Sequence, residues 1–200
     1  MTEGVFETLY AACPDQRREK IDRFCYFRDK RLSAAAYALL AMALKKTGYR
    51  GKRPELKHLP GEKPVLRDGR GVHFSLSHSG DVAACAVAES PVGIDVEEFA
   101  EYIVPLALAE GERAHIARSK EPQVEFTRLW TLKEACLKYS GAGIRDGLAH
   151  MDFHAAPGAA FCSGGRWYWS RRFQGFYLTV CSGCRLPVRL GVFGVNDLVI

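Results

Sequence analysis

The 200-residue sequence contains no uninterrupted apolar run near the roughly 20 residues that a membrane-spanning helix needs. Residues 1–7 also lack the basic then apolar order of a secretory signal. Both absences predict a cytoplasmic location. With 48% hydrophobic residues, the chain can bury one sizeable core or two small lobes that share one, as a globular enzyme does.

The seven cysteines are an odd number and lie mostly within apolar patterns. Cys181 and Cys184 have Cys-x-x-Cys spacing, but no second pair or His-x-x-His sequence completes a zinc site. The sequence therefore predicts reduced thiols that pack in the interior, with a simple turn between Cys181 and Cys184.

The motifs of several nucleotide and acyl chemistries are missing. The chain has no Gly-x-x-x-x-Gly-Lys-Ser/Thr phosphate loop, no Gly-x-Gly-x-x-Gly fingerprint and no Gly-x-Ser-x-Gly elbow. These absences argue against ordinary nucleotide-triphosphate folds, dinucleotide folds and serine hydrolases. No helix-turn-helix or aromatic-interleaved pattern accompanies the net charge of +5, so a nucleic-acid partner is not expected.

Positive charge concentrates near the amino terminus, where seven Lys and Arg residues fall between Arg17 and Arg31. Such a cluster is typical of a solvated helix face. The other interpretation is a site for phosphates or for an acidic protein partner, because summed positive potential attracts both. The residues alone leave both interpretations open.

Apolar periodicity predicts three main helices and several strands. The helices are Asp15–Phe27, Asp29–Thr47 and Val124–Tyr139. The strands are a three-stranded antiparallel meander over residues 72–97 and three later strands at Ala159–Cys162, Trp167–Phe173 and Phe176–Cys181. This order predicts an α+β protein of two similar lobes, residues 1–92 and 93–200, each an antiparallel sheet packed with helices.

Three carboxylates form the first candidate site. Asp95 and Glu97 alternate with apolar residues on one strand, so both project from the same face. Glu134 lies four residues from both Trp130 and Lys138 on the longest predicted helix. Taken alone, Glu134 and Lys138 fit an exposed surface pair. Together with the strand carboxylates they suit Mg²⁺, which takes oxygen ligands and keeps waters and substrate phosphate oxygens.

The block Ser77-His78-Ser79-Gly80 forms the second candidate site. It lies where a strand ends and a tight turn begins, which leaves hydroxyls and amides free to meet an anion. A polar hairpin turn with no ligand is the structural alternative.

Taken together, these blocks resemble the motifs of the 4'-phosphopantetheinyl transferases, in particular the larger Sfp type. The matching stretches are Ser-His-Ser at 77–79, Gly-Ile-Asp-Val-Glu at 93–97, Trp-x-x-Lys-Glu-Ala-x-x-Lys at 130–138 and Gly-x-Gly at 141–143. The resemblance runs from about Lys20 to Ile144. It implies a pseudo-duplicated fold whose active site lies in the cleft between the lobes. It also implies Mg-dependent transfer of the phosphopantetheine arm of coenzyme A to a serine of an acyl or peptidyl carrier protein, with release of 3',5'-ADP.

The resemblance further implies a role for individual residues. Asp95, Glu97 and Glu134 would hold Mg²⁺ or Mn²⁺. Glu134 would act as general base, directly or through water, while Lys138 and His78 complete the catalytic set. The residues expected to contact coenzyme A are Arg17, Lys20, Arg31, Ser33, Lys63, Pro64, Ser77, His78 and Lys138.

Carrier docking is expected to combine hydrophobic contact with positive charge, in a monomeric enzyme. A non-catalytic module that binds coenzyme A or a carrier protein is the alternative function. The intact carboxylates and Lys138 argue against that alternative.

Overall fold

The computed structural model describes residues 1–49, 53–57, 63–67, 71–141, 147–155, 158–185 and 187–198. These residues form α-helices and antiparallel sheets in an α+β arrangement. The helices are α1 (Glu3–Ala12), α2 (Asp15–Asp22), α3 (Phe27–Lys46), α4 (Glu110–Ala117) and α5 (Pro122–Ser140). The strands are β1 (Leu56–Lys57), β2 (Val65–Leu66), β3 (His73–Ser79), β4 (Val82–Ala88), β5 (Val92–Glu98), β6 (Ala160–Ser163), β7 (Arg166–Phe173) and β8 (Phe176–Ser182). None of the helices in these ranges is long and apolar enough to cross a membrane.

The amino-terminal half is organised around α3. Its buried residues Leu32, Ala36, Leu40 and Leu44 recur at helical spacing and form one face. α3 packs on the β3–β4 hairpin, and its Leu40 and Leu44 share a hydrophobic cluster with Phe74 of β3 and with residues of α1. A short turn at Val195–Leu198 also packs into this cluster, so the end of the described chain returns to the amino-terminal core.

The carboxyl-terminal half is a four-stranded antiparallel sheet in the order β5-β8-β7-β6, with α5 on one face. The backbones of α5 and β5 approach each other closely at Gly93. A Cβ atom at this position would lie 2.0 Å from the carbonyl oxygen of Ala135 in α5. Only glycine allows the helix and strand backbones to touch in this way. The opposite face packs against β4 through a cluster that includes Ala84, Ile94 and Leu178.

Serine hydroxyls of β3 join the two halves. The backbone N–H of Ile94 donates to Ser75 Oγ at 3.1 Å, and that of Glu98 donates to Ser79 Oγ at 3.1 Å. In the described residues β3 pairs by a backbone ladder with β4, and β5 with β8. The predicted three-stranded meander is therefore wrong in its third strand, β5, which does not join the β3–β4 hairpin by a backbone ladder. One edge of β5 pairs with β8 instead, and on the side nearest β3 its backbone N–H groups donate to serine hydroxyls.

Most other predicted elements are confirmed, with shifts at their ends. α3, α5 and the three carboxyl-terminal strands lie within a few residues of their predicted bounds. The helix predicted over Asp15–Phe27 ends at Asp22, whereas α1 was not predicted. α1 buries only Phe6 and Leu9, which is a weak periodic signal.

A buried ion pair anchors the segments around α4 to α5. The Lys133 amine donates to Glu112 Oε2 at 2.5 Å and to the carbonyl oxygens of Ala107 and Leu148 at 2.7 and 2.8 Å. Glu112 Oε1 accepts from the backbone N–H of Phe153 at 3.0 Å. Both charged groups are fully buried, so each depends on the other for compensation.

We expect Lys133→Met to lower the free energy of unfolding by about 3–5 kcal/mol, because the Glu112 carboxylate would stay buried without its counter-ion. Lys45→Met changes an exposed lysine of α3 and should shift stability by no more than about 0.5 kcal/mol. Urea denaturation followed by circular dichroism measures both. Equal stability of the two variants would contradict the prediction.

We expect Gly93→Ala to destabilise the protein by about 1–3 kcal/mol or more, because the new methyl group would force α5 away from β5. Gly4→Ala in α1 is the matched control, since nothing lies within 4 Å of its Cβ position. Thermal unfolding of both variants tests this difference. A Gly93→Ala protein as stable as the control would show that the helix can yield without loss.

Candidate active site

A cleft of about 500 Å³ opens between the two halves. One wall comes from α2, α3 and β3, and the other from β5 and α5. The predicted site residues that line it are Arg17, Lys20, Ser33, Lys63, Pro64, Ser77, His78, Glu97, Glu134 and Lys138. Another cavity, of about 480 Å³ and lined by Trp167, Trp169 and Arg185, contains none of them. The structure thus brings most of the predicted set to one cleft.

Asp95 lies beneath the cleft and is only 1% exposed. Its Oδ1 atom accepts hydrogen bonds from Ser77 Oγ at 2.7 Å and from the Lys138 amine at 2.5 Å. Its Oδ2 atom is buried without a hydrogen-bond partner among the described residues. Burial raises the pKa of Asp95, and the contacts with Lys138 and Ser77 oppose that shift.

Glu97 and Glu134 form the rest of the acidic wall, and both are partly buried. Burial raises the pKa of Glu97 to about 7, and repulsion from Asp95 and Glu134 adds to the shift. Burial and repulsion from Asp95 likewise raise the pKa of Glu134. Glu134 Oε1 is also buried without a partner in the described part of the chain. The three carboxylates are therefore close enough to repel one another, and the Lys138 ammonium attracts all three.

These carboxylates suit a hydrated divalent cation better than a metal enclosed by protein. Within the described ranges no three His, Cys, Asp or Glu side chains are grouped so that they could hold a metal ion, and this includes the three predicted ligands Asp95, Glu97 and Glu134. A cation that keeps waters and takes phosphate oxygens needs only two or three protein carboxylates. The unpartnered oxygens of Asp95 and Glu134 provide acceptors with no competing donor. The residues present therefore fit such an ion.

The opposite wall carries unused donors. Arg17 is 5% exposed, and its Nη2 donates to the Ser33 carbonyl oxygen at 2.6 Å. Arg17 Nε and the fully buried Ser33 Oγ have no hydrogen-bond partner among the residues described. Lys20 adds a second, more exposed positive charge on this wall. The Arg17 guanidinium and the Ser33 hydroxyl therefore each keep a buried donor without an acceptor. An unpaired buried donor costs free energy, so this wall favours an anion as its ligand.

His78 and Lys63 complete the polar lining. Burial lowers the pKa of His78, so its ring is neutral near pH 7, and Phe24 packs edge-on against it at 6.0 Å. The Lys63 amine donates to the Val92 carbonyl oxygen, and burial lowers its pKa to about 8. Pro64 lies beside Lys63 in the wall.

Arg31, expected to contact coenzyme A, and the motif residue Trp130 lie outside the cleft lining. Arg31 Nη1 donates to the Met1 carbonyl oxygen at 2.9 Å and its guanidinium packs over Phe27. Trp130 packs with Phe126, and their ring centroids are 5.9 Å apart.

Sequence reasoning missed Ser75, which lines the cleft and holds the backbone of β5. The signal was present, because Ser75 alternates with Ser77 and Ser79 on one side of the strand. It also missed the apolar lining from Ala36, Phe74 and Leu137.

The comparisons with known proteins converge on one family. The family model described as the 4'-phosphopantetheinyl transferase superfamily matches residues 91–181. A 4'-phosphopantetheinyl transferase, psf-1, from Bacillus pumilus is 42% identical over 96 residues, which are 44% of this chain and 40% of that protein. Sfp from Bacillus subtilis strain 168 is 27% identical over 136 residues, or 64% of this chain and 60% of Sfp.

HetI from a Nostoc species, also a 4'-phosphopantetheinyl transferase, is 32% identical over 160 residues, or 71% of this chain and 65% of HetI. The matched segments thus span less than two thirds of psf-1, Sfp and HetI. The model match contains β5, α5 and most of β8, the elements that carry the acidic wall and its support. Residues 91–181 thus match the 4'-phosphopantetheinyl transferase superfamily, and the chain is similar to transferases of the Sfp type.

Proposed function

We propose that this chain transfers the 4'-phosphopantetheine arm of coenzyme A to a serine hydroxyl of an apo acyl or peptidyl carrier protein, releasing 3',5'-ADP. The observation that carries the proposal is one cleft with two opposed walls. One wall holds three carboxylates that repel one another, and the other holds Arg17 with unused donors. A divalent ion with a diphosphate, and a further phosphate, are ligands of matching charge.

Asp95, Glu97 and Glu134 would hold the divalent ion, which we propose is Mg²⁺, with Mn²⁺ as a substitute. When bound, such an ion withdraws charge from phosphate oxygens and stabilises the departing bisphosphate. Support comes from the unpartnered Asp95 Oδ2 and Glu134 Oε1 atoms. Because the Asp95 and Glu134 oxygens are buried, a cation bound beside them would strongly stabilise the ionised carboxylates.

Coenzyme A would lie along the cleft. Arg17, Lys20 and Ser33 would meet the 3'-phosphate, His78 and Ser77 the diphosphate. Lys63 and Pro64 would line the adenine end. The neutral His78 ring would take part as a hydrogen-bond donor rather than as a charge. The contact of Arg31 with coenzyme A stays a prediction. In the structure the Arg31 side chain donates to the Met1 carbonyl oxygen instead.

Glu134 would take the proton of the incoming serine hydroxyl at its other carboxylate oxygen, Oε2, directly or through a water molecule. As the serine oxygen bonds to phosphorus, the bond from phosphorus to the bisphosphate oxygen breaks. Lys138, which now contacts Asp95 and Ser77, would neutralise the charge that grows on the phosphate oxygens.

We further propose that the chain consists of two pseudo-duplicated lobes, residues 1–92 and 93–200. Supporting this, α3 packs on the β3–β4 hairpin as α5 packs on the four-stranded sheet. The monomeric state and the cytoplasmic location stay predictions. Positive charge beside the cleft would suit an acidic carrier protein.

We expect Glu134→Gln to slow phosphopantetheinylation by about 10²–10⁴-fold, because it removes the proposed base and one metal ligand. The assay combines pure protein, an apo carrier domain, coenzyme A and Mg²⁺, and weighs the carrier by mass spectrometry. Glu7→Gln, an exposed change in α1, is the control and should retain full activity.

A chelator should abolish the mass gain of the wild-type reaction. Coenzyme A binding without any mass gain across several acyl and peptidyl carriers would overturn the proposal in favour of a non-catalytic binding module.

We expect affinity for adenosine 3',5'-bisphosphate, measured without metal, to fall as pH rises through about 8. Lys63 is charged below its pKa of about 8 and loses that charge above it. Above about pH 8 the affinity should fall by up to about tenfold per pH unit. The fall ends where the pH reaches the higher pKa that Lys63 has when the bisphosphate is bound. Isothermal titration calorimetry of wild type and Lys63→Met between about pH 7 and 9.5 tests this. Identical profiles of the two proteins would show that Lys63 gives the ligand no charge.

A further inference from the structure

A row of polar side chains runs along the face of α5 that meets the sheet. Thr131, Glu134 and Lys138 follow one another at three and then four residues, so they share this face. Glu134 and Lys138 line the cleft, whereas Thr131 is fully buried. The row therefore includes one polar residue that the proposed chemistry does not use, about one turn before Glu134.

Thr131 is attached to the sheet by a contact between hydroxyls. Its Oγ1 lies 2.9 Å from Thr179 Oγ1 of β8, and it also donates to the Arg128 carbonyl oxygen at 2.9 Å. Thr179 Oγ1 donates in turn to Ser170 Oγ of β7 at 3.0 Å. Thr131 and Thr179 are both fully buried. Because a buried hydroxyl that loses a partner pays a desolvation cost, this contact holds α5 to β8 in one place.

The contact ends on the direct neighbour of Asp95 in the sheet. Thr179 of β8 lies opposite Asp95 of β5. Directly opposed residues of antiparallel strands project from the same face, with Cβ atoms about 4.5–5.5 Å apart. The Lys138 amine donates to Asp95 Oδ1 at 2.5 Å. Two members of the row thus attach to one cross-strand pair, and Glu134 lies between them along the helix.

The two attachments differ in what the proposed reaction asks of them. Lys138 would serve phosphate oxygens and Asp95 a divalent ion, so their ion pair is shared with ligands during turnover. Thr131 and Thr179 do not line the cleft. We propose that Thr131 and Thr179 are positioning residues, which keep the turn of α5 that carries Glu134 in register with Asp95. This role rests on the proposed function.

The hydroxyls suit this role better than apolar contacts would. Apolar packing is not directional, whereas a hydrogen bond weakens steeply when its angle or length changes. The threonine pair therefore resists a movement of α5 along its own axis, which would carry Glu134 and Lys138 together away from Asp95. Since misplacement of a catalytic group by about 1 Å can cost about a hundredfold in rate, a modest loosening is enough to slow the transfer.

The test compares Thr131→Val and Thr179→Val with Ser170→Ala in the transfer assay. Valine keeps the shape of threonine without its hydroxyl. Ser170→Ala is the matched control, because it removes a hydrogen bond from the same buried chain but leaves the contact with α5 in place. We expect either valine variant to lower kcat by about tenfold to a hundredfold, with the KM for coenzyme A changed by less than about twofold. Ser170→Ala should keep the wild-type kcat and KM.

Conservative and double variants separate positioning from stability. Thr131→Ser and Thr179→Ser keep the hydroxyl and should retain most of the wild-type kcat. Because both valine changes break one contact, the double variant should be no slower than the slower single variant. Equal losses of kcat in Ser170→Ala and the valine variants would overturn the proposal, as would wild-type kcat in both valine variants. The two changes lie on different elements, so the proposal stays testable if one of them does not fold.

Binding of Mn²⁺ gives a readout that needs no turnover. Free Mn²⁺ is measured by electron paramagnetic resonance in the presence of coenzyme A. A displaced Glu134 carboxylate weakens the proposed metal site, so we expect Mn²⁺ to bind about tenfold more weakly to either valine variant, and with wild-type affinity to Ser170→Ala. Wild-type affinity in both valine variants would overturn the proposal. Affinity lowered only by the valine changes, in a protein that modifies none of several carriers, would support the positioning role and count against the proposed function alone.

Discussion

The burial of the Asp95 carboxylate is the constraint on which the rest of the structure depends. An anion withdrawn from water is tolerated only when donors replace the lost hydration. Ser77 and Lys138 supply those donors from β3 and α5, so both elements must lie close to β5. Glycine at position 93 permits the approach of α5, because any larger residue would collide with the Ala135 carbonyl. The packing of three elements is thus tied to one charged oxygen.

The joint between the two halves follows from the same requirement. Had β3 and β5 formed an ordinary backbone ladder, the hydroxyls of Ser75, Ser77 and Ser79 would not be needed at the joint. Instead Ser75 and Ser79 hold the backbone of β5, and Ser77 holds Asp95. The same strand continues directly to His78 at the cleft wall. A polar joint of this kind both fastens the halves together and places donors beside the acidic wall.

The sequence predicted the local parts of this arrangement well, because they follow from periodicity. Two-residue alternation placed Asp95 and Glu97 on one face of β5, and four-residue spacing placed Glu134 and Lys138 on one face of α5. The pairing of β5 with β8 was missed because it joins residues 78 to 90 positions apart. Lys133 offered no local sign of burial either, since its partner Glu112 lies 21 positions away. Long-range contacts decide such features, and no window of sequence contains both partners.

The described residues of the acidic wall carry more negative than positive charge. This imbalance explains why the wall favours a proton or a metal ion. Within the described residues, Lys138 forms an ion pair with Asp95, whereas Glu97 and Glu134 form none. Burial then raises their pKa values, so near neutral pH the wall can reduce its charge by taking up a proton or a metal ion. A divalent ion meets this need with two charges and leaves the carboxylates ionised. The same desolvation that makes the closely spaced carboxylates costly therefore favours cation binding, and a cation held there would offset the repulsion between these carboxylates and the proposed diphosphate.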